Sequence, residues 1–408
     1  MIDTGETAWL LVSTGLVMLM TPALALFYGG MVQGKNVLST FMHSFFALGL
    51  VTVQFVVIGY SLCFAPTFHG VVGGLDFLGL DGVGTAALDA DHHYPALAYM
   101  AYQMMFAVIA PALISGAYAE RFKFGAYCAF TLAWTTLVYD PIAHWSWAAD
   151  GWLAKYGAID FAGGTVVHLS SGISALVVAL VLGKRKGYPS VRHPPHDLTM
   201  TLVGAGLLWF GWFGFNAGGG SVKEGTAITA LVNTHVAAAA GALSWCFVEG
   251  ARIKKVTMLG VASGLVAGLV AITPAAGYVS PMAALAIGAI AGAVCYGAVL
   301  LKSRLGYDDA LDAFGVHGVG GATGALLTGV FARAALNNGV GGGLSLVGKQ
   351  VVALGAAGAW AALVTFVLLK LIDKTIGLRV DLETEHDGLD GALHGESAYG
   401  SPGSVAHT

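Results

Sequence analysis

Eleven stretches of the chain are each about twenty residues long and mostly apolar, which is the length a helix needs to cross a bilayer. They fall near 8–29, 38–62, 94–118, 124–143, 160–182, 199–217, 226–248, 256–273, 281–301, 313–333 and 348–370. Alternating segments of about ten residues, the mark of a membrane β-barrel, are absent. Charged residues make up only 10% of the 408, against about 25% in a soluble domain. So sparse a charge excludes a soluble enzyme and a disordered chain, and with a net charge of -4 there is no basic footprint for nucleic acid. The fold class is therefore an all-α polytopic membrane protein with eleven transmembrane helices. The 59 glycines have no collagen period and predict helices packed closely through small residues. The four cysteines have neither CxxC spacing nor a disulfide pattern.

Orientation follows from Lys and Arg, which favour the cytoplasmic side. With the N-terminus outside, fifteen of the 19 fall inside, including Lys35, Arg121, Lys123, Arg185, Arg192, Arg252 and Lys255. Lys155, Lys223, Arg333 and Lys349 fall outside. Loop 63–93 agrees, holding Asp76, Asp81, Asp89 and Asp91 and no Lys or Arg. The chain is expected to run N-out and C-in. Its first eight residues carry Asp3 and Glu6 and no cation, the reverse of a secretory signal, so the first helix is expected to stay. Residues 1–370 form the transmembrane domain and 371–408 a polar, acidic cytoplasmic tail.

The fifth and tenth spans share a pattern, VVHLSSGISALV around His168 and GVHGVGGATGAL around His317. Aligning the histidines pairs Gly172 with Gly321 and Ser174 with Thr323. Five helices separate them, an odd number, so the second copy is inverted in the membrane. Two five-helix repeats, about 8–182 and 199–333, followed by helix 348–370, place a shared site near the midplane. Small-residue packing alone also makes such helices look alike; the matched histidines favour a true repeat.

Ionisable groups inside a span are costly, at least about 2.5 kcal/mol at the centre. His168, His317, His235 and Asp160 are the candidates, with His43 and Asp312 near helix ends. His168 and His317 lie on glycine-rich helices that allow close approach, and one imidazole can donate a hydrogen bond that the other accepts. Such a pair passes a proton or orders a small polar solute; a buried structural pair, or a bis-histidine haem site, is the other reading. Asp160 opens the fifth span, suited to cap it through Gly163 and to give the outer vestibule a negative potential. Tyr102 and Phe106 stand one turn apart on one face, and Trp147, Trp209, Trp212 and Phe215 lie toward the outer ends of their helices. They read as an interfacial belt or as an aromatic cage for a cation.

The runs LFYGGMVQGKNVLS, GAYAERFKF, YDPIAHWSW, DFAGGTVVH, WFGWFGFNAG and DAFGVHGVGG resemble the ammonium transporter (Amt) family, bacterial type, over almost the whole chain. The tail GLRVDLETEHDGLDGALHGESAY is similar to that family's C-terminal region. The resemblance implies a homotrimer in the cell inner membrane, with one pore per subunit that conducts ammonium or methylammonium after cation recognition and deprotonation, and no cofactor. It implies an outer recognition site from Phe106 and Trp147, with Tyr102 beside Trp212, a gate from Phe106 and Phe215, pore histidines His168 and His317, and an essential Asp160. Gly219 stands where many relatives carry a serine, and Ser221 is the candidate substitute. Some relatives are ammonium sensors, so a sensor with little flux is the alternative. The tail is expected to be ordered to about Tyr399, to pair Asp381, Glu383, Glu385 and Asp387 with Arg121, Lys123, Arg185, Arg252 and Lys255, and to share its face with a PII signalling protein.

Overall fold

The computed structural model describes residues 2–89, 92–191, 193–337 and 339–399. Arg192, counted among the inner cations, Asp91 of the acidic loop, and the frayed end expected beyond Tyr399 lie outside the described residues. Among the described residues nine helices are long and apolar enough to cross a membrane. They are α1 (Thr4–Met31), α2 (Gly34–Phe64), α3 (Ala96–Tyr118), α5 (Gly164–Leu182), α6 (Leu198–Ala217), α7 (Thr226–Ile253), α9 (Pro281–Leu305), α10 (Phe314–Phe331) and α11 (Leu344–Thr375). Between them stand α4, which runs from Phe124–Trp134 through a wide turn at Thr135–Tyr139 into Asp140–Trp147, and the shorter apolar α8 (Met258–Ile272). Beside the helices stand a hairpin of two-residue strands, Thr67–Phe68 with Val72–Gly73, and isolated bridges that pair Ala87 with Pro95 and Phe122 with Arg379.

Helix ends are closed by short polar side chains. Asp3 accepts from Gly5 and Glu6 amides at the start of α1, Asp197 from Met200 at the start of α6, and Thr257 from Gly260 at the start of α8. Large apolar side chains face outward along the helices, as in Phe247 (78% exposed) and Leu363 (61%). Water would not tolerate that array, whereas lipid matches it.

The two histidine helices cross where glycine removes every obstacle. A Cβ on Gly172 of α5 would sit 2.1 Å from the Gly318 amide nitrogen of α10. One on Gly321 would sit 2.7 Å from the Gly164 carbonyl oxygen and 3.1 Å from the His168 Cβ. Both helices begin in a wide π-turn, Gly164–Leu169 and Phe314–Gly318, and each turn carries its histidine. Such turns loosen the backbone ladder and re-aim side chains, and they recur at functional positions.

The tail is docked rather than free. Helix α12 (Leu382–Asp387) is capped by Asp381 through the Thr384 amide. Asp390 then accepts from the Leu38 and Ser39 amides (3.0 and 2.8 Å), the open N-terminal donors of α2, while Asn36 Oδ1 accepts from the Leu389 amide. The expected ion pairs are not those formed. Glu385 holds Arg379 (2.7 Å) and accepts from the Lys186 amide, and Asp387 lies against His386. Arg185 is instead buried between Glu120 and Asp308, at 2.8 Å from each, and Arg121 donates to the backbone carbonyls of Ala119, Gly183 and Asp308. Lys123 reaches the Ile376 carbonyl. Buried charges must be paired locally or they cost several kcal/mol, and these arginines lie in the tight turns between helices. Burial raises the Glu120 and Asp308 carboxyls, yet the Arg185 guanidinium between them prevails and holds both below the usual carboxylate range.

Candidate functional site

Three cavities lie along one path through the helices. The outermost, about 130 Å³, is lined by Tyr102, Gln103 and Phe106 of α3, Trp147 at the end of α4, and Asn216 and Gly219 at the end of α6. The Phe106 ring meets that of Trp147 edge to face at 5.9 Å and that of Tyr102 at 4.9 Å. Trp147 is fixed by its indole N–H, which donates to the Asp160 carbonyl at 2.9 Å. The Tyr102 hydroxyl donates to the Phe215 and Gly214 carbonyls (2.8 and 3.0 Å), which fixes the ring as a wall of the recess. Aromatic faces around a small recess attract a cation, by about 0.5–2 kcal/mol per contact.

Gly219 leaves room. A Cβ there would meet only Tyr102 Cε1 at 3.7 Å and its hydroxyl oxygen at 4.0 Å. Ser221 cannot stand in for a hydroxyl at that position, because its Oγ donates to Glu6 Oε1 at 2.8 Å and accepts from the Glu224 amide. Trp212 is also not part of the recess. Its ring is buried, parallel to His168 at 5.4 Å, with its N–H donating to Thr273 Oγ1. Trp212 therefore lies on the far side of the phenylalanine pair.

That pair closes the path. The rings of Phe106 and Phe215 stand 4.4 Å apart at 42°. Beyond them is a cavity of about 10 Å³ lined by Phe215, Trp212, His168, His317 and apolar residues of α1, α3 and α8, the room of about one water-sized molecule. The two imidazoles stack at 5.3 Å and 20°. Among the described residues no hydrogen bond joins them, unlike the donor–acceptor pair expected from sequence. Both ring nitrogens of His168, and Nδ1 of His317, are buried with no partner. Leaving such a group unpaired costs about 1–3 kcal/mol, so a row of them in an apolar tube is a place for a small polar guest. Past His317 a third cavity, about 50 Å³, reaches Ser263 and Asp312.

Asp160 closes the start of α5 completely. Oδ1 accepts from the Gly163 and Gly164 amides (2.9 and 2.7 Å), and Oδ2 from Thr165 and Val166 (2.8 and 3.1 Å). The carboxylate is thus turned onto four backbone donors rather than toward the vestibule. Sequence reasoning missed its counterpart. Asp309, like Asp160, lies eight residues before its histidine, and it accepts from the Ala313 and Phe314 amides at the start of α10. The equal spacing was the signal. Also missed was Asp140, wholly buried in α4, which accepts from Gln54 Nε2 at 2.8 Å beside Cys63. Of the other candidates, His43 packs between Tyr118 and Tyr127, and His235 stacks on Trp209, both away from the path.

Comparison with known proteins agrees with this geometry. The pattern of the Ammonium Transporter Family matches residues 8–399. An ammonium transporter of Bacillus subtilis is 50% identical, covering 97% of this chain and 98% of that protein. The crystal structure of Saccharomyces cerevisiae Mep2 superposes with a TM-score of 0.85 at 38% identity, over 93% of this chain and 91% of that one. A Sensor Amt Protein superposes at 0.88 with 30% identity, over 95% and 98%. A match over nearly the whole length, on an all-helical fold with a recess, a ring gate and stacked histidines in line, makes this chain a member of the Ammonium Transporter Family.

Proposed function

We propose that this protein transports ammonium, as the B. subtilis relative is named to do, and that it does so across the cell inner membrane. The observation that carries the reading is the row of unpartnered imidazole nitrogens in a tube otherwise lined by apolar side chains. Ammonium collects against Trp147, Phe106 and Tyr102, beside Gly219, and sheds water at the Phe106–Phe215 gate. An ion would pay a large desolvation cost in the tube beyond, so the cation first gives up a proton to water of the outer recess. Ammonia then passes along His168 and His317, with Trp212 as the wall behind them. Asp160 acts by fixing α5 and, through its carbonyl, Trp147.

In this reading α1 to α11 are eleven spans, N-out and C-in, built as inverted repeats 8–182 and 199–333 plus a last helix. The paired carboxylate caps at Asp160 and Asp309 support the repeat. Residues 371–408 face the cytoplasm, where the tail shares its surface with a PII signalling protein, and three copies assemble through outward apolar faces. The likeness to a Sensor Amt Protein gives the second reading, a sensor with little flux. Purified protein in proteoliposomes distinguishes them: a transporter accumulates [14C]methylammonium down an imposed gradient well above empty vesicles, whereas binding with no flux above the vesicle background contradicts transport.

A further inference from the structure

The cavity past His317 reaches Asp312, which holds a lysine. Lys302, in the last turn of α9, places its Nζ 2.5 Å from Asp312 Oδ1 and donates to the Asp309 carbonyl at 2.8 Å. A carboxylate and a carbonyl oxygen converging on one –NH3+ group form the acceptor set that an ammonium ion requires, since a lysine head and ammonium share donors and charge. The same cavity holds Asp312 and His317, whose Nδ1 has no partner and which is only 4% exposed.

Two further features single out this carboxylate. In the first half of the chain the residue three after the capping aspartate is Gly163, at φ 112°, a left-handed conformation glycine accepts without cost. In the second half that position is Asp312, at φ 61°. Aspartate is one of the few side chains that enter this region readily, so a carboxylate stands here where the first half of the chain has none. The charges around it are also unequally shared. Tyr28 of α1, Asp312 before α10 and His317 of α10 line the mouth, with Lys302 of α9 held against Asp312. The Asp309 carboxylate is engaged with the Ala313 and Phe314 amides and lies near both Lys302 and Arg121, whereas the ion pair of Asp312 is with Lys302. Asp312 and Lys302 keep 32% and 13% exposure, enough for exchange with solvent.

We propose that Asp312, with the Asp309 carbonyl, is a second ammonium-binding site at the mouth below His317, and that Lys302 is its tethered competitor. This rests on ammonium being the substrate. Substrate leaving the pore as a cation meets Asp312 only when Lys302 swings away, so the lysine sets how readily the mouth fills from its own side. The site differs from the aromatic recess in using a charge where the recess uses π-faces.

The test is equilibrium binding of [14C]methylammonium to the purified full-length protein in a Trp147→Ala background, which weakens the recess. Removing a tethered competitor, whose effective concentration is millimolar, should tighten binding in Lys302→Met by about tenfold. Adding Asp312→Asn should abolish that gain, and Asp312→Gly, which suits the backbone, should do the same if Asn folds poorly. Equal binding in Lys302→Met with and without the Asp312 change overturns the site. Binding is read without flux, so a protein that binds in the predicted pattern but carries nothing overturns the transport reading and keeps this one.

Discussion

His168 keeps both ring nitrogens buried without a partner, and no amount of packing compensates for that as a hydrogen bond would. At the scale of single residues the account turns on such unspent groups and on their opposite, groups that are fully spent. Asp160 is of the second kind. Both its oxygens accept from two amides each, so an asparagine turns an NH2 donor against two N–H donors. Asp160→Asn should therefore lose about 1–3 kcal/mol and uptake together, read as a lowered Tm and reduced methylammonium flux; wild-type values of both would show that one oxygen suffices. Gly219→Ser adds a hydroxyl into open space beside Tyr102. It should lower the half-saturating ammonium concentration by up to several-fold, in line with about 0.5–1.5 kcal/mol for one hydrogen bond. An unchanged value would assign that bond to water, since Ser221 is held by Glu6. The histidines stood out in the sequence because a membrane span tolerates few ionisable side chains, whereas the recess aromatics read equally as an interfacial belt. Which way Trp212 faces did not stand out, because three neighbouring aromatics on α6 differ only by rotation about the helix.

At the scale of helices, hydropathy located the nine long apolar helices of the described residues, because lipid demands a continuous apolar surface of fixed length. It overstated α5, where residues 160–163 belong to the cap rather than to the helix, and it understated α11, which runs from Leu344 to Thr375. The π-turns left no trace in hydropathy, since they change hydrogen bonding and not composition. They carry His168 and His317, while Gly172 and Gly318 let α5 and α10 meet. Gly172→Ala places a methyl 2.1 Å from a backbone nitrogen, with no flexible side chain to yield. It should cost about 1–3 kcal/mol and spread the imidazoles, giving a lower Tm and at least a several-fold loss of uptake. Full stability and flux in this variant would show that the crossing is looser than drawn.

At the scale of the whole molecule, the tail was legible as a break in composition, but its anchoring was not. Sequence charges suggested arginine pairs, whereas the structure spends Asp390 on the open amides of α2 and keeps Arg185 for Glu120 and Asp308. Local pairing prevails because those arginines are buried, with Arg185 beside Glu120 and Asp308. Deleting residues from 380 onward exposes the α2 N-terminus and frees Asn36 and Lys186 of their tail partners. Uptake should fall while membrane insertion persists, and a PII protein should no longer co-purify; full uptake with PII still bound would make the tail a passive appendage.

The stacked histidines are the proposed conducting element. The most direct test is [14C]methylammonium uptake into proteoliposomes by His168→Ala and His317→Ala, with assembly checked by size-exclusion chromatography. Each variant, correctly assembled, is predicted to lose uptake or to change its selectivity for ammonium over other small cations. Wild-type rate and selectivity in both would contradict the claim.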